Sequence, residues 1–359
     1  MILVSILGDF HSSVLPISYA FKEQIDKHVI IYDDAKRDVA RAKSIVAGQK
    51  LFLAQKKAEY ELITMQIDED DYDNIYERFE RIKRLTADPK DIYINTTDGL
   101  SSIAIVFSSH FLAIGANIVS YDRFANTYNL HTSQGMQKHI IEQNMDIETH
   151  LLLKGYEIMT SIEHNELMKR KNGIFSLVKD LTRFKTFAGL VGKKDADLSP
   201  YRDYVKILTK MGKMQDESYV TGAVFEEYIY HLVTDNFDFD DVWLGTLVRF
   251  KENISNEFDI LMIKENHLHT IECKLVNRLD GLHYIQKLNL IRDYLDDDGK
   301  AMLLSVGADN TIKTAYGPIR TQFTHNIRAH AKFSEITIHQ SKGFDETEFL
   351  TDVKSCFLS

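Results

Sequence analysis

The strongest constraint on this chain lies in one short stretch, NEFDILMIKENHLHTIECKL, residues 256–275. Two β-rich runs, EFDILMIK and HLHTIECKL, are separated only by Glu265 and Asn266. A two-residue connection between such runs makes an antiparallel hairpin, and its length fixes the register. Lys264 then pairs with His267, and Ile263 with Leu268. Further in along the same ladder, Asp259 stands opposite Glu272. Directly opposed residues have Cβ atoms about 5 Å apart, so two carboxylates are forced together and repel unless a cation lies between them. Side chains alternate along a strand. Lys274 therefore shares a face with Glu272 while Cys273 points away. Asp259, Glu272 and Lys274 converge by register alone.

That convergence suits phosphodiester hydrolysis. Mg²⁺ and Mn²⁺ prefer hard oxygen donors and are often held by one or two carboxylates plus water. Such an ion polarises a phosphate and acidifies a bound water, and Lys274 can orient that water or stabilise the charge that develops. The expected catalytic residues are Asp259, Glu272 and Lys274. Glu226, on the upstream helix GAVFEEYIYHLV, is a fourth, and the metal ligands would be Asp259, Glu272 and Glu226. The plain alternative is a cross-strand ion pair on a surface hairpin, since an Asp followed by Glu-X-Lys is common by chance. The acidic helix before it, the hairpin register and the helix after it favour the site. His267, His269 and His283 raise the question of zinc, but strand histidines near a turn are commonly solvated and no fourth ligand is at hand.

The first ~130 residues alternate strand-like and helix-like runs, the pattern of a parallel α/β sheet. Strands are expected at 1–7, 28–33, 61–67, 91–95 and 117–122, with helices over 35–58 and 71–86. The second helix carries Ile75, Phe79, Ile82 and Lys83 at helical spacing. From about 145 to 215 the pattern turns helical and basic, fitting a small helical module or a winged helix. A third pattern follows, in the order α-β-β-β-α-β. The division expected is a Rossmann-like domain at 1–145, a basic linker module at 146–215 and a second α/β domain at 216–359. In a doubly wound sheet, ligands bind beyond the carboxyl ends of the strands. Two loops there are small and polar: Gly8-Asp9-Phe10-His11-Ser12-Ser13 and Asn95-Thr96-Thr97-Asp98-Gly99. Hydroxyls and free N–H groups at a helix start suit a phosphate. The first loop lacks GxGxxG, which argues against a dinucleotide oxidoreductase.

The net charge of −10 excludes a generic polyanion coat but not a local phosphate site. Residues 166–215 hold twelve Lys and Arg against five acids, either a nucleic-acid patch or an ordinary solvated helix surface. Two cysteines give neither a disulfide framework nor a zinc pattern, and the opening apolar run is too short for a membrane span. A cytoplasmic protein is expected, with no membrane partner.

Residues 218–310 resemble the PD-(D/E)XK restriction-endonuclease-like superfamily. Asp259 matches its metal-binding aspartate and Glu272-Cys273-Lys274 its (D/E)-X-K, although Phe258 replaces the proline. Gln286 and Lys287 align with a polar position that assists such sites. A Rossmann sheet, a helical module and this nuclease domain together resemble the CRISPR-associated Rossmann fold (CARF) nucleases. That resemblance implies a homodimer activated by a cyclic oligoadenylate, cyclic tetra-adenylate being the expected ring, and cleaving DNA, RNA or both. It also implies a ligand cleft lined by Phe10, Ser12, Ser13, Asn95, Thr96, Thr97, Asp98 and Gly99. The loop departs from the family's Asn-x-Thr-Gly-Gly-Thr-Lys: Asp98 replaces the first of the two glycines and the lysine is missing. A carboxylate beside a phosphate is repulsive unless it bonds a ribose hydroxyl. Two rival readings are a constitutive restriction- or repair-type nuclease and a ligand-responsive DNA-binding regulator.

Overall fold

The computed structural model describes residues 1–8, 14–33, 39–68, 70–97, 102–251, 254–275, 281–296, 298–307, 311–314, 317–320, 325–341 and 343–358. Contacts divide the chain into two compact units, Met1–Glu157 and Ile158–Ser359.

The first unit runs β1 (Ile2–Ile6), α1 (Leu15–Ala20), β2 (Lys27–Asp33), α2 (Val39–Ala54), β3 (Glu61–Ile67), α3 (Tyr72–Lys83), β4 (Ile92–Asn95), α4 (Ser102–Ala113), β5 (Asn117–Asp122), β6 (Thr127–Thr132), β7 (Gly135–Ile140) and α5 (Ile147–Leu153). One sheet holds all seven strands in the order β3-β2-β1-β4-β5-β6-β7. The first five are parallel, and β6 and β7 add on antiparallel. β1 is buried along its whole length, as a central parallel strand covered on both faces must be. Edge strand β3 alternates instead. On α3, Ile75, Phe79 and Ile82 are buried and the Asp71 carboxylate caps the helix by accepting from the Asn74 N–H. Burial of such side chains is worth about 2 kcal/mol each. Strand order reverses between β1 and β4, so their carboxyl ends open on the crevice where doubly wound sheets take ligands. The five expected strands are all present. The β6–β7 hairpin was not expected, because β7 is almost wholly exposed and carries little apolar signal.

The second unit runs β8 (Glu157–Thr160), α6 (His164–Val178), α7 (Leu181–Ala188), α8 (Arg202–Lys210), α9 (Val224–Asn236), β9 (Asp241–Lys251), β10 (Ile254–Lys264), β11 (His267–Leu275), α10 (Gly281–Leu295), β12 (Ala301–Val306), β13 (Thr311–Thr314), β14 (Gly317–Arg320), α11 (His325–Phe333), β15 (Ile336–Ser341) and α12 (Glu346–Phe357). Its main sheet has the order β15-β12-β11-β10-β9-β8. The hairpin strands pair antiparallel, while β11, β12 and β15 run parallel. The α-β-β-β-α-β order is present and continues into α11, β15 and α12.

The helical segment does not stand apart at residue 215. Ile174 and Leu177 of α6, Phe184 and Phe187 of α7 and Leu208 of α8 share one core with Phe225 and Ile229 of α9 and with Ile260 and Ile271 of the hairpin. Helices this short hold their shape only through tertiary packing, and α9 supplies the apolar surface they pack on. No winged helix forms among the described residues there; β8 is the one strand.

The hairpin register is as expected from Lys264–His267 through Ile263–Leu268 to Ile260–Ile271. Glu265 and Asn266 have φ of 52° and 70°, the left-handed pair of a type I′ turn, whose twist matches the strands it joins. Glu265 is exposed, and a Cβ is disfavoured in that left-handed conformation. Glu265→Gly should therefore hold or raise stability, and Glu265→Val should lower it by about 1–2 kcal/mol. Urea unfolding checks both, and a glycine variant losing more than the valine would refute the turn assignment.

Candidate active site

Asp259 lies where the hairpin ladder ends. On the β9 side the paired rungs pass from Phe258–Thr246 to Ile260–Leu244, and Gly245 faces Asp259 between them with φ +59°. A Cβ at Gly245 would also approach Ile162 Cδ1 to 3.1 Å, so glycine serves both the left-handed backbone and the close packing. Freed from regular pairing, Asp259 turns its carboxylate to the neighbouring strand. Its Oδ2 accepts from the Cys273 N–H at 2.7 Å and from Lys274 Nζ at 3.1 Å. Lys274 Nζ lies 2.8 Å from Glu272 Oε1. The cation that the opposed carboxylates require is thus the Lys274 ammonium. Lys287 of α10 adds a second, reaching both Glu272 oxygens at 3.1 and 3.3 Å. Tyr284 of the same helix presents its ring 5.4 Å from Lys274 Nζ, while Gln286 is exposed. Cys273 faces the other way, into the apolar core.

Glu226 joins this group from the first turn of α9. Burial raises its carboxyl to about 8, helped by the negative charge of Asp259 and opposed by Lys274. Burial likewise lifts Asp259 to about 6, with the charge of Glu272 next. Burial would lower the Lys274 ammonium, but Asp259 and Glu272 outweigh that and hold it well above its ordinary value. A half-neutralised cluster of hard oxygens around one or two lysines is a donor set that Mg²⁺ or Mn²⁺ fits.

The next residue, Glu227, has a different task. It is fully buried and accepts from Arg170 Nε and Nη2 at 3.0 and 3.1 Å and from the Tyr219 hydroxyl at 2.6 Å. Tyr219 opens a single π-helical turn, Tyr219–Ala223, that leads straight into α9. Such turns often mark functional positions. This clamp anchors the helix end that carries Glu226. Periodicity could not reveal it, since Arg170 reads as one more cation of a basic stretch.

In the first unit, Phe10, Ser12, Ser13, Asp98 and Gly99 lie outside the described residues. Asn95 is buried; its Oδ1 accepts from the N–H and hydroxyl of Thr97 at 3.1 and 2.5 Å. The Thr97 hydroxyl in turn accepts from the Tyr121 N–H at 2.9 Å. Thr96 N–H bonds the Val119 carbonyl at 2.9 Å. Asn95 and Thr97 hold the loop to β5, an internal use of polar groups read from sequence as ligand donors.

A further set of possible ligand atoms, from His267, Asp296 and Asp298, lies within 4.8 Å at the opposite end of β11. Asp296 Oδ2 accepts from the Leu268 N–H at 2.9 Å and Oδ1 from the Asp298 N–H at 3.1 Å, pinning the end of α10 to the start of β11. His269 is buried and accepts from the Lys300 N–H at 3.0 Å, against the expectation that it is solvated.

Residues 214–328 match the family described as Card1-like, endonuclease domain. Among solved structures, Can2 from Sulfobacillus thermosulfidooxidans in complex with cyclic tetra-adenylate superposes with a TM-score of 0.69 at 14% identity, covering 99% of this chain and 98% of that one. Protein VC1899 from Vibrio cholerae gives 0.73 at 16% identity, again over 99% and 98%. A type III CRISPR defence DNA nuclease activated by cyclic oligoadenylate gives 0.50 at 12% identity, over 92% of this chain and 51% of that one. No curated protein matches the sequence. The chain therefore shares the fold of Can2 and VC1899, and the segment that matches the Card1-like endonuclease model lies within its second unit.

The raised carboxyls give a signed pH dependence. From the ordinary values of 4.5 and 3.8 up to about 8 and about 6, Glu226 and Asp259 retain protons that the unfolded chain has lost. Stability of the metal-free protein should fall as pH rises through that window. Melting temperatures in EDTA from pH 5 to 8 check this, and Glu226→Gln should flatten the upper part of the decline. An unchanged profile in that variant would mean Glu226 is not crowded by Asp259.

Proposed function

We propose that this protein is a metal-dependent endonuclease of PD-(D/E)XK type, switched on by a cyclic oligoadenylate in type III CRISPR antiviral defence. The observation that carries the reading is the meeting of Asp259, Glu272 and Lys274 inside a segment that matches a Card1-like endonuclease domain. Among the described residues, no helix is long and apolar enough to cross a membrane, which agrees with a cytoplasmic site of action.

Asp259, Glu272 and Glu226 would hold Mn²⁺ or Mg²⁺. The bound ion supplies Lewis acidity at the scissile phosphate and a water of lowered pKa. The chain's own groups do the rest. With the ion bound, Glu226 and Asp259 would be held as carboxylates, and Lys287 keeps Glu272 oriented through both oxygens. Lys274 would then be available to donate to the phosphate oxygens on which charge builds. Tyr284, its ring 5.4 Å from Lys274 Nζ, helps keep that ammonium partly dry, which strengthens the interaction.

The first unit would be the sensor. Its β1/β4 crevice is where this sheet order takes ligands, and Can2, of the same fold, was solved with cyclic tetra-adenylate. That ring is the activator proposed here. A ring of four like units matches a two-fold cleft, so the active form would be a homodimer, with DNA, RNA or both as substrate. The ligand can act only through higher affinity for the cleaving arrangement.

The test is cleavage of labelled single- and double-stranded DNA and RNA with Mn²⁺, with and without each cyclic oligoadenylate. Cleavage should need both the metal and cyclic tetra-adenylate. Asp259→Ala and Glu272→Ala should abolish turnover, and Lys274→Ala should lower it by about 10²–10³-fold, all three with ligand binding intact. Full cleavage in EDTA would refute the metal assignment, and full cleavage without any ligand would favour a constitutive nuclease.

A further inference from the structure

A groove of about 700 Å³ runs between α6 and α8. Lys169 and Asn172 line it from α6, and Ile207, Lys210 and Met211 from α8. Gly173 makes the groove: a Cβ there would meet Met211 Sδ at 2.7 Å, so glycine lets the two helices close over an apolar floor. Lys169 and Lys210 stand exposed on opposite rims. On α8, Arg202, Lys206 and Lys210 recur every fourth residue, a cationic row rising about 6 Å per step; all three are exposed. Most other cations of this stretch are already committed: Lys171 to Asp235, Arg183 to Asp203, Lys185 to the Gly307 carbonyl, Lys213 to Asp216.

We infer that this groove is a binding track for a nucleic-acid strand, the phosphates meeting Lys169 and Lys210 while sugar and base edges rest on Ile207 and Met211. Charge decides for this occupant: Lys169, Arg170, Lys210 and Lys213 line the groove against one carboxylate, Glu166, which lies 3.7 Å from Arg170, in a chain whose net charge is −10. Arg170 also lines the groove, and its guanidinium bonds the buried Glu227 of α9, so one wall of the groove is braced against the helix that carries Glu226. The inference rests on the nuclease reading and supplies that reading with a path for its substrate.

The experiment measures binding apart from cleavage. A fluorescent single-stranded oligonucleotide is titrated with the full-length protein in EDTA at several salt concentrations, and polyglutamate of equal charge serves as competitor. Lys169→Glu combined with Lys210→Glu should weaken oligonucleotide binding at least tenfold and flatten the salt slope by about 1.4, the release expected for two single-strand phosphate contacts. Lys193→Glu with Lys194→Glu makes the same charge change elsewhere in the stretch and should cost much less. Equal losses in the two double variants, or none in the first, would overturn the groove and leave the nuclease reading untouched. Stronger binding of polyglutamate than of oligonucleotide would overturn it in favour of an acidic protein partner. Groove-dependent binding in a protein that never cleaves would keep the track and remove the nuclease.

Discussion

Three carboxylates crowded around one ammonium set the terms for the second unit. Asp259, Glu272 and Glu226 cannot all be ionised in a half-dry setting without cations among them, and Lys274 with Lys287 supplies the minimum. Much of the neighbouring structure holds that crowd in place. Gly245 releases Asp259 from its ladder, the hairpin turn sets Glu272 across from it, α10 delivers Lys287, and the Arg170–Tyr219–Glu227 clamp fixes the helix end that brings Glu226. Such a cluster costs stability, a trade common at functional sites, and it is the donor set on which the proposed metal site rests.

The first unit solves a different problem with similar means. Its sheet is buried and apolar at the centre, and polar groups gather at the carboxyl end of β4. Asn95 and Thr97 spend their hydrogen bonds on each other, on β5 and on the Val14 carbonyl before α1. They shape the start of the loop that leaves β4. In the sensor role proposed for this unit, a rigid rim would matter as much as contact groups, because only a difference in affinity between two shapes can be transmitted.

Much of this was legible before any coordinates, for reasons that name particular residues. Strands such as Ile2–Ile6 and Ala301–Val306 are buried throughout and announce themselves. The hairpin register followed from a turn of two residues, and with it the Asp259–Glu272–Lys274 meeting. What escaped notice depended on tertiary contact. The β6–β7 hairpin is too polar to show a period, α6–α8 looked like a separate module because their shared core with α9 leaves no local mark, and the burial of Glu227 and Arg170 is invisible in a charged stretch. Gly245 gave no signal either, since a lone glycine in a strand run says nothing of which residue it faces.

The Glu265–Asn266 turn has a consequence for how this domain can vary. Side chains in β11 alternate, so a change in loop length that shifts its register by one residue would send Glu272 and Lys274 inward and bring Ile271 and Cys273 out to the face of Asp259. Such drift would break up the Asp259–Glu272–Lys274 cluster even where the fold survives it. Insertions would be tolerated at the exposed β6–β7 turn in the other unit, which faces no such parity rule.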